Sequence, residues 1–541
     1  MSNETVDDLL NGKKNQMKVA TVGFDGPLAR ATRALLEKRG HKVTSRGAEC
    51  AIYFPGRAAE LDNLMAEGGY RRLVLRSHAY VYGSSTKNPG LMSENRVSLL
   101  PSDAPERCWL EMEAVASRHP NSAVVRLTNV LAPEEGDLFV RQISRPAAIA
   151  LAGHDPNAQF ISVDDAAAAL VAAAEADANG VFNAAADGVI PLRKAFRAAG
   201  TRRIPILKPL ARLSPLGRSV DQLQYNWTVS SERARRELGW RAARTTVQAL
   251  GDYVAAKSGG AGVPDCDYDD WGLDVDYIHA WGPWFWFLRN IYWRIEHEGL
   301  ENVPAAGRAL FVSNHRGFMP LDAVMHLSLI LTYRKRIPRF LIIHSLLNFP
   351  FLCNFLTKLG GVIASQENAA RLFAGENLVG IFPEGIRGSF TPYKHTYRLR
   401  DFSKSGFARI AIANQVPIIP AAVIGHSEIF PIIGRINSSY LTRKFGWPYL
   451  PIAPMFPLAP IPLPSKWHVR VLPGVQLQGL KPTDGDNQRL VNEFSRHIQH
   501  QIQSHIDEML LRRKYIFWGR ILDAPGRKAP MNVKGAPQGI E

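Results

Sequence analysis

The chain has 541 residues, 46% apolar and 21% charged, a globular composition long enough for two or more domains. Its 65 Lys and Arg against 49 Asp and Glu give a net charge of +16 and call for an anionic partner; without zinc-finger spacing, a basic region feeding heptads or an RNA-binding aromatic signature, an anionic bilayer is favoured over nucleic acid. The four cysteines, Cys50, Cys108, Cys266 and Cys353, form no Cys-x-x-Cys pair, which argues against a disulfide framework and a structural zinc site.

In chain order, Lys18–Val22 reads as a strand and Leu28–Gly40 as a helix stopping at Gly40. Ala51–Phe54, Arg72–Leu75 and Ala123–Leu127 read as further strands, and Asp164–Asp177 as an Ala-rich helix. This alternation implies an α/β fold with a doubly wound parallel sheet. Val22-Gly-Phe-Asp-Gly-Pro-Leu-Ala29 follows the first strand and opens the first helix, the context in which glycines bring a pyrophosphate to a helix N-terminus. Together with Leu75-Arg-Ser-His-Ala-Tyr-Val-Tyr-Gly83, Val125-Arg-Leu-Thr-Asn-Val130, Phe160-Ile-Ser-Val-Asp-Asp165 and Ala234-Arg-Arg-Glu-Leu-Gly-Trp240, it makes this half resemble the extended short-chain dehydrogenases/reductases of the NAD-dependent epimerase/dehydratase type. The resemblance implies a Rossmann-type domain with Gly23, Gly26 and Ala29 at the cofactor. The family's Tyr, and the Lys four residues later, correspond to Pro105 and Trp109, neither of which is an acid or a base. Ser77 fits the family's serine, and no acidic residue follows Lys42-Val-Thr-Ser45 to hold a ribose, where Arg46 stands instead. The half therefore reads as a degenerate domain, with NAD(P) binding and a ligand-free scaffold both open.

After the Gly-rich stretch Lys257-Ser-Gly-Gly-Ala-Gly-Val-Pro264, read as a flexible linker, β runs at Ala309–Val312, Val379–Phe382, Ile418–Ile424 and His468–Val471 alternate with helices. Phe311-Val-Ser-Asn-His-Arg-Gly-Phe-Met-Pro-Leu-Asp322 delivers a histidine from a strand into a loop, with an aspartate opening the next helix. Acyl transfer to an alcohol needs a base of near-neutral pKa, and a carboxylate on the far ring nitrogen fixes the tautomer. On this string alone, a helix-capping Asp322 beside an incidental histidine is an equal reading. Downstream, Phe382-Pro-Glu-Gly-Ile-Arg387 sets a carboxylate and a guanidinium at a strand end, and Val416-Pro-Ile-Ile-Pro-Ala-Ala-Val-Ile-Gly425 is an apolar strand.

These blocks, in this order, resemble the glycerolipid acyltransferase superfamily, which includes the lysophosphatidic acid (1-acylglycerol-3-phosphate) acyltransferases. The resemblance implies that His315 is the base and Asp322 its orienter, with Asn314, Arg316, Glu384, Gly385 and Arg387 binding substrate. It also implies an acyl-CoA or acyl-carrier-protein donor, a lysophosphatidate-like or mono/diacylglycerol-like acceptor, and neither metal nor other cofactor for the transfer. The common spacing is four residues between His and Asp, whereas here it is six, which resembles the mono- and diacylglycerol acyltransferase branch. The arginine that usually follows Gly360-Gly361 is missing from Val362-Ile-Ala-Ser-Gln-Glu-Asn368, with Arg387 and Lys358 as candidate substitutes.

The expected domains are a flexible segment 1–16, an epimerase/dehydratase-like domain 17–257, a linker 258–275, an acyltransferase domain 276–521 and a disordered tail 522–541. Three segments suit a membrane interface: the aromatic run Trp281–Arg294 with Arg289 and Arg294, Leu510–Arg520, and the Pro-rich Tyr449–Pro464. A polar start and the lack of a long unbroken apolar run lead to the expectation of a cytoplasmic protein lying peripherally on the cytoplasmic face of the membrane. The alternatives are a bifunctional protein whose first half performs NAD(P)-linked chemistry and a non-catalytic lipid-binding adaptor.

Overall fold

The computed structural model describes residues 16–56, 58–66, 69–258, 268–349, 351–402, 406–454, 456–458 and 461–522. The expected N-terminal segment, the Gly-rich core of the linker and the C-terminal tail lie outside them, apart from marginal residues. By packing, the chain divides into two compact units, Met1–Val275 with Leu346–Ile363, and Asp276–Ser345 with Ala364–Glu541.

The first unit is built on β1 (Lys18–Val22), α1 (Pro27–Lys38), β2 (Lys42–Val43), β3 (Cys50–Tyr53), β4 (Arg72–His78), α2 (Arg107–Ala116), β5 (Ser122–Leu127), α3 (Val163–Glu175) and β6 (Gly180–Ala184). Its sheet runs β2-β1-β3-β4-β5-β6 with every neighbouring pair parallel. Strands β3, β4 and β5 are buried along their whole length, as a parallel sheet covered on both faces requires. Pro27 starts α1, where its missing N–H costs no helical bond, and Leu28, Ala29, Thr32 and Leu36 form the buried stripe that packs on α3. The order of the strands reverses between β1 and β3, and Gly23 lies at that reversal with its Cα against the Phe54 carbonyl. Leu346–Ile363 joins this unit although it lies between the two chemistry-bearing blocks of the second half. Phe351 N donates to Gly153 O at 2.7 Å, and the Lys358 ammonium meets Asp155 at 2.7 Å.

The second unit comprises α4 (Val275–Phe287), β7 (Glu296–Glu298), β8 (Ala309–Ser313), α5 (Leu321–Arg334), β9 (Arg339–Ile342), β10 (Leu378–Ile381), β11 (Ile418–Ile424), β12 (His468–Val471) and α6 (Gln488–Arg512). The strands that this unit contributes to its sheet run, in order, β7-β12-β11-β8-β10-β9. Strand β8 is central and parallel to both neighbours, while β12 pairs antiparallel with β11, making the sheet mixed. All five residues of β8 are buried, so the strand end that carries Asn314 and His315 is anchored on both sides. Helix α6 buries Val491, Ser495, Ile498, Ile502, Ile506 and Met509, one stripe at helical spacing, and packs on β11. Among the described residues no helix is long and apolar enough to cross a membrane.

The aromatic run differs from a simple surface helix. Helix α4 stops at Phe287 and a π-turn follows over Leu288–Tyr292. Phe285, Leu288 and Trp293 face the interior, while Trp284, Trp286 and Ile291 remain exposed. Arg289 points inward, donating to Ser328 and Thr332 of α5, and its burial lowers its pKa.

Candidate active site

The site starts at the end of β8. His315 leaves the strand, the chain turns through Gly317 at φ +79°, and Asp322 enters the first turn of α5. The turn brings His315 Nδ1 to 2.5 Å from Asp322 Oδ2, and Ala323 N donates to Oδ1 at 2.9 Å. Asp322 is 1% exposed and His315 15%. A carboxylate oxygen accepts only from a protonated Nδ1, so this contact sets the tautomer. The Nε2 lone pair is then left as acceptor, and Nε2 has no protein partner among the described residues. The imidazole is stacked on Phe382 at a 4.7 Å centroid distance, which fixes its plane.

The loop is held from beneath by a buried ion pair. Arg316 Nη1 meets Glu384 Oε2 at 2.6 Å, with both side chains withdrawn from solvent. Arg316 also donates to the carbonyls of His315 (2.7 Å), Thr396 (2.5 Å) and Arg398 (2.9 Å). Glu384 accepts from Arg400 N at 2.9 Å and from His315 N at 3.4 Å. Gly388 permits this packing, since a Cβ there would lie 2.3 Å from Glu384 Cβ and 3.2 Å from His315 O. Asn314 is buried, accepting from Val423 N at 2.8 Å and donating to Val423 O at 3.0 Å, so it extends the β8–β11 pairing by one residue.

Of the residues singled out in the sequence, the structure therefore joins His315 to Asp322 and Arg316 to Glu384. Asn314, Arg316 and Glu384 spend their polar atoms on the protein itself. Gly385 turns the chain at φ +51°, and Arg387 projects into solvent from the short helix Gly385–Ser389. Lys358 belongs to the first unit and is paired with Asp155. Gly23, Gly26 and Ala29 stand at the start of the first unit's α1.

Two histidines carried no sequence signal. His326, on the apolar α5, lies 3.2 Å from Ser313 Oγ, and burial lowers its pKa to about 4. His426, after β11, is held well below its ordinary value by burial and by the nearby positive charge of Arg316. Both stay neutral near pH 7, so His315 gains no cationic neighbour from them. A base whose folded pKa is depressed stabilises the fold above its unfolded value and loses that contribution as pH falls. For His326 the window runs from 6.5 down to about 4. Thermal unfolding midpoints should accordingly fall across that window, and His326→Gln should flatten the slope; an identical slope in the variant would contradict the assignment.

Residues 294–424 match the family model "Acyltransferase". The chain is 33% identical to "Uncharacterized protein Rv0502" of Mycobacterium tuberculosis over 265 residues, 47% of this chain and 73% of that protein. It is 28% identical over 164 residues to the Bos taurus "DGAT1/2-independent enzyme synthesizing storage lipids", covering 30% of this chain and 48% of that one. Among solved structures it is similar to a human epimerase family protein crystallised with NADPH, at 19% identity and a TM-score of 0.36, over 44% of this chain and 99% of the other. Residues 294–424 form an acyltransferase domain, which follows a unit built on a doubly wound parallel sheet, and the chain belongs to the family of the Mycobacterium tuberculosis protein.

Proposed function

We propose that the second unit moves a fatty acyl group from a thioester, carried by CoA or acyl-carrier protein, to a hydroxyl of a glycerolipid at an anionic membrane surface. The observation that carries the reading is His315, oriented by Asp322 through Nδ1 and left with a free Nε2 at the edge of solvent. Nε2 takes the acceptor O–H proton as the oxygen attacks the thioester carbonyl. The tetrahedral intermediate collapses with loss of the C–S bond, and the proton on Nε2 passes to the departing sulfur. Asp322 stabilises the imidazolium between the two transfers. Arg316 and Glu384 act as positioning residues that hold the loop, and the exposed Arg387 is the candidate contact for a substrate phosphate. The bovine relative's name, with its reference to storage lipids, favours a mono- or diacylglycerol-like acceptor.

Support for the membrane surface comes from the way the three interfacial segments meet. Tyr292 Oη donates to Pro462 O at 2.6 Å, and Arg294 reaches Pro464 O at 3.0 Å and Phe517 O at 2.7 Å. Around these bonds Trp284, Trp286, Ile291, Leu458, Phe517 and Trp518 are exposed, with Leu458 at 96%. Exposed aromatic and aliphatic side chains beside Arg512, Lys514 and Arg520 suit insertion into an anionic leaflet. The test offers monoacylglycerol, diacylglycerol, lysophosphatidate and glycerol 3-phosphate in vesicles with and without anionic lipid, and identifies the ester formed. The W286S/W518S double variant should sediment less with anionic vesicles and lose transfer to vesicle-borne acceptor, while keeping transfer to acceptor in detergent. Unchanged sedimentation would remove this face from the account.

A further inference from the structure

The first unit has the sheet of a dinucleotide-binding domain, yet its own residues fill the place of the phosphates. A helix-borne pyrophosphate needs free N–H groups in the first helical turn. In α1 the first of these positions is Pro27, which has no N–H. The next, Leu28 N, donates to Glu135 Oε1 at 3.0 Å, a carboxylate from 107 residues along the chain. Glu135 is delivered by the short 3-10 turn Pro133–Glu135, which Gly136 ends in the left-handed region at φ +85°.

Both glycines of the fingerprint are accounted for by this packing. A Cβ on Gly23 would lie 2.2 Å from the Phe54 carbonyl oxygen, so Gly23 lets β1 and β3 close. A Cβ on Gly26 would lie 2.4 Å from the Phe24 ring and 2.5 Å from Glu135 Oε1, so Gly26 makes room for the chain's own side chains. Asp25 adds a second carboxylate to the same loop, paired with Arg33 at 2.5 Å. Glu135 also forms one wall of a polar cavity of about 190 Å³, shared with His78, Glu106, Trp109, Asp137 and Arg141.

The chemical positions beside it are equally committed. Ser77 Oγ donates to Glu113 Oε1 at 2.6 Å, and Glu113 is in turn held by Arg126 at 2.6 Å. His78 Nδ1 accepts from Tyr80 N at 3.0 Å while its Nε2 stands 3.0 Å from Asp137. Trp109 carries the Arg76 guanidinium on its face at 4.7 Å. The residues present do not fit NAD(P).

We infer that Glu135 is a built-in anion that occupies the pyrophosphate position of α1 and shuts the first unit to dinucleotides. The experiment titrates full-length protein with NADH and with NADPH, following energy transfer from tryptophan to the nicotinamide. The wild type should show no saturable binding at millimolar nucleotide. Glu135→Ala, which removes both the charge and the bulk, should bind at least about tenfold more tightly. Glu135→Gln keeps the shape and a hydrogen-bond acceptor but not the charge, and should show the electrostatic part of that gain; it carries the test if the alanine variant does not fold. Tight binding by the wild type, or variants no tighter than the wild type, would overturn the inference. Acyl transfer by the same preparations reports separately on the second unit, so either reading can fail without the other.

Discussion

Replacing His315 with alanine should lower kcat for acyl transfer by about 10²–10⁴-fold, the usual contribution of a general base. The loss should fall on kcat rather than KM, because His315 acts on the reacting hydroxyl and the leaving sulfur. Asp322→Asn should cost a loss of the same order for a different reason. A carboxamide can turn its NH₂ toward Nδ1, which stabilises the tautomer with the proton on Nε2 and removes the lone pair that takes the acceptor proton. Circular dichroism and thermal melts of both variants should match the wild type, since His315 lies at the solvent edge and Asn is close in shape to Asp. A variant at position 315 that retains full kcat would remove the base from the mechanism.

Glu384→Ala should be the most destabilising single substitution near the site. Arg316 and Glu384 are 1% and 0% exposed, and removing one partner leaves the other charge buried and unpaired. Losses of about 3–5 kcal/mol are usual for such a break. Urea unfolding of the second unit, followed by tryptophan fluorescence, measures it. Glu384→Gln should cost less, because an amide oxygen can still accept from Arg316 and from Arg400 N. If Glu384 served only to hold an acceptor hydroxyl, Glu384→Ala would leave the urea midpoint unchanged and raise KM alone.

The fold was largely legible because its information is local. Lys18–Val22, Arg72–Leu75, Ala309–Val312 and Ile418–Ile424 are apolar-rich runs, and runs of that kind alternating with helical patterns point to sheets covered by helices. The proximity of His315 and Asp322 was legible for the same reason, since one turn of loop joins them. What stayed hidden depends on contacts between distant positions. Arg316 meets Glu384 from 68 residues away, and nothing local shows that each neutralises the other. Glu135 reaches Leu28 across 107 residues, so a glycine fingerprint could be read without the side chain that fills it. Arg289, in an aromatic run that suggests a surface, turns inward to Ser328 because α5 presents polar groups on that one face. Leu346–Ile363 carries no compositional mark of packing with the first unit.

Acyl transfer through His315 is probed by acceptor-dependent thiol release from acyl-CoA and from acyl-carrier protein, measured on purified full-length protein with each glycerolipid acceptor in turn. Release with at least one donor is expected to require an acceptor hydroxyl, to match the ester formed mole for mole, and to disappear in His315→Ala. Folded protein that releases no thiol with either donor and any acceptor, or releases it equally in His315→Ala, would rule out acyl transfer by this histidine.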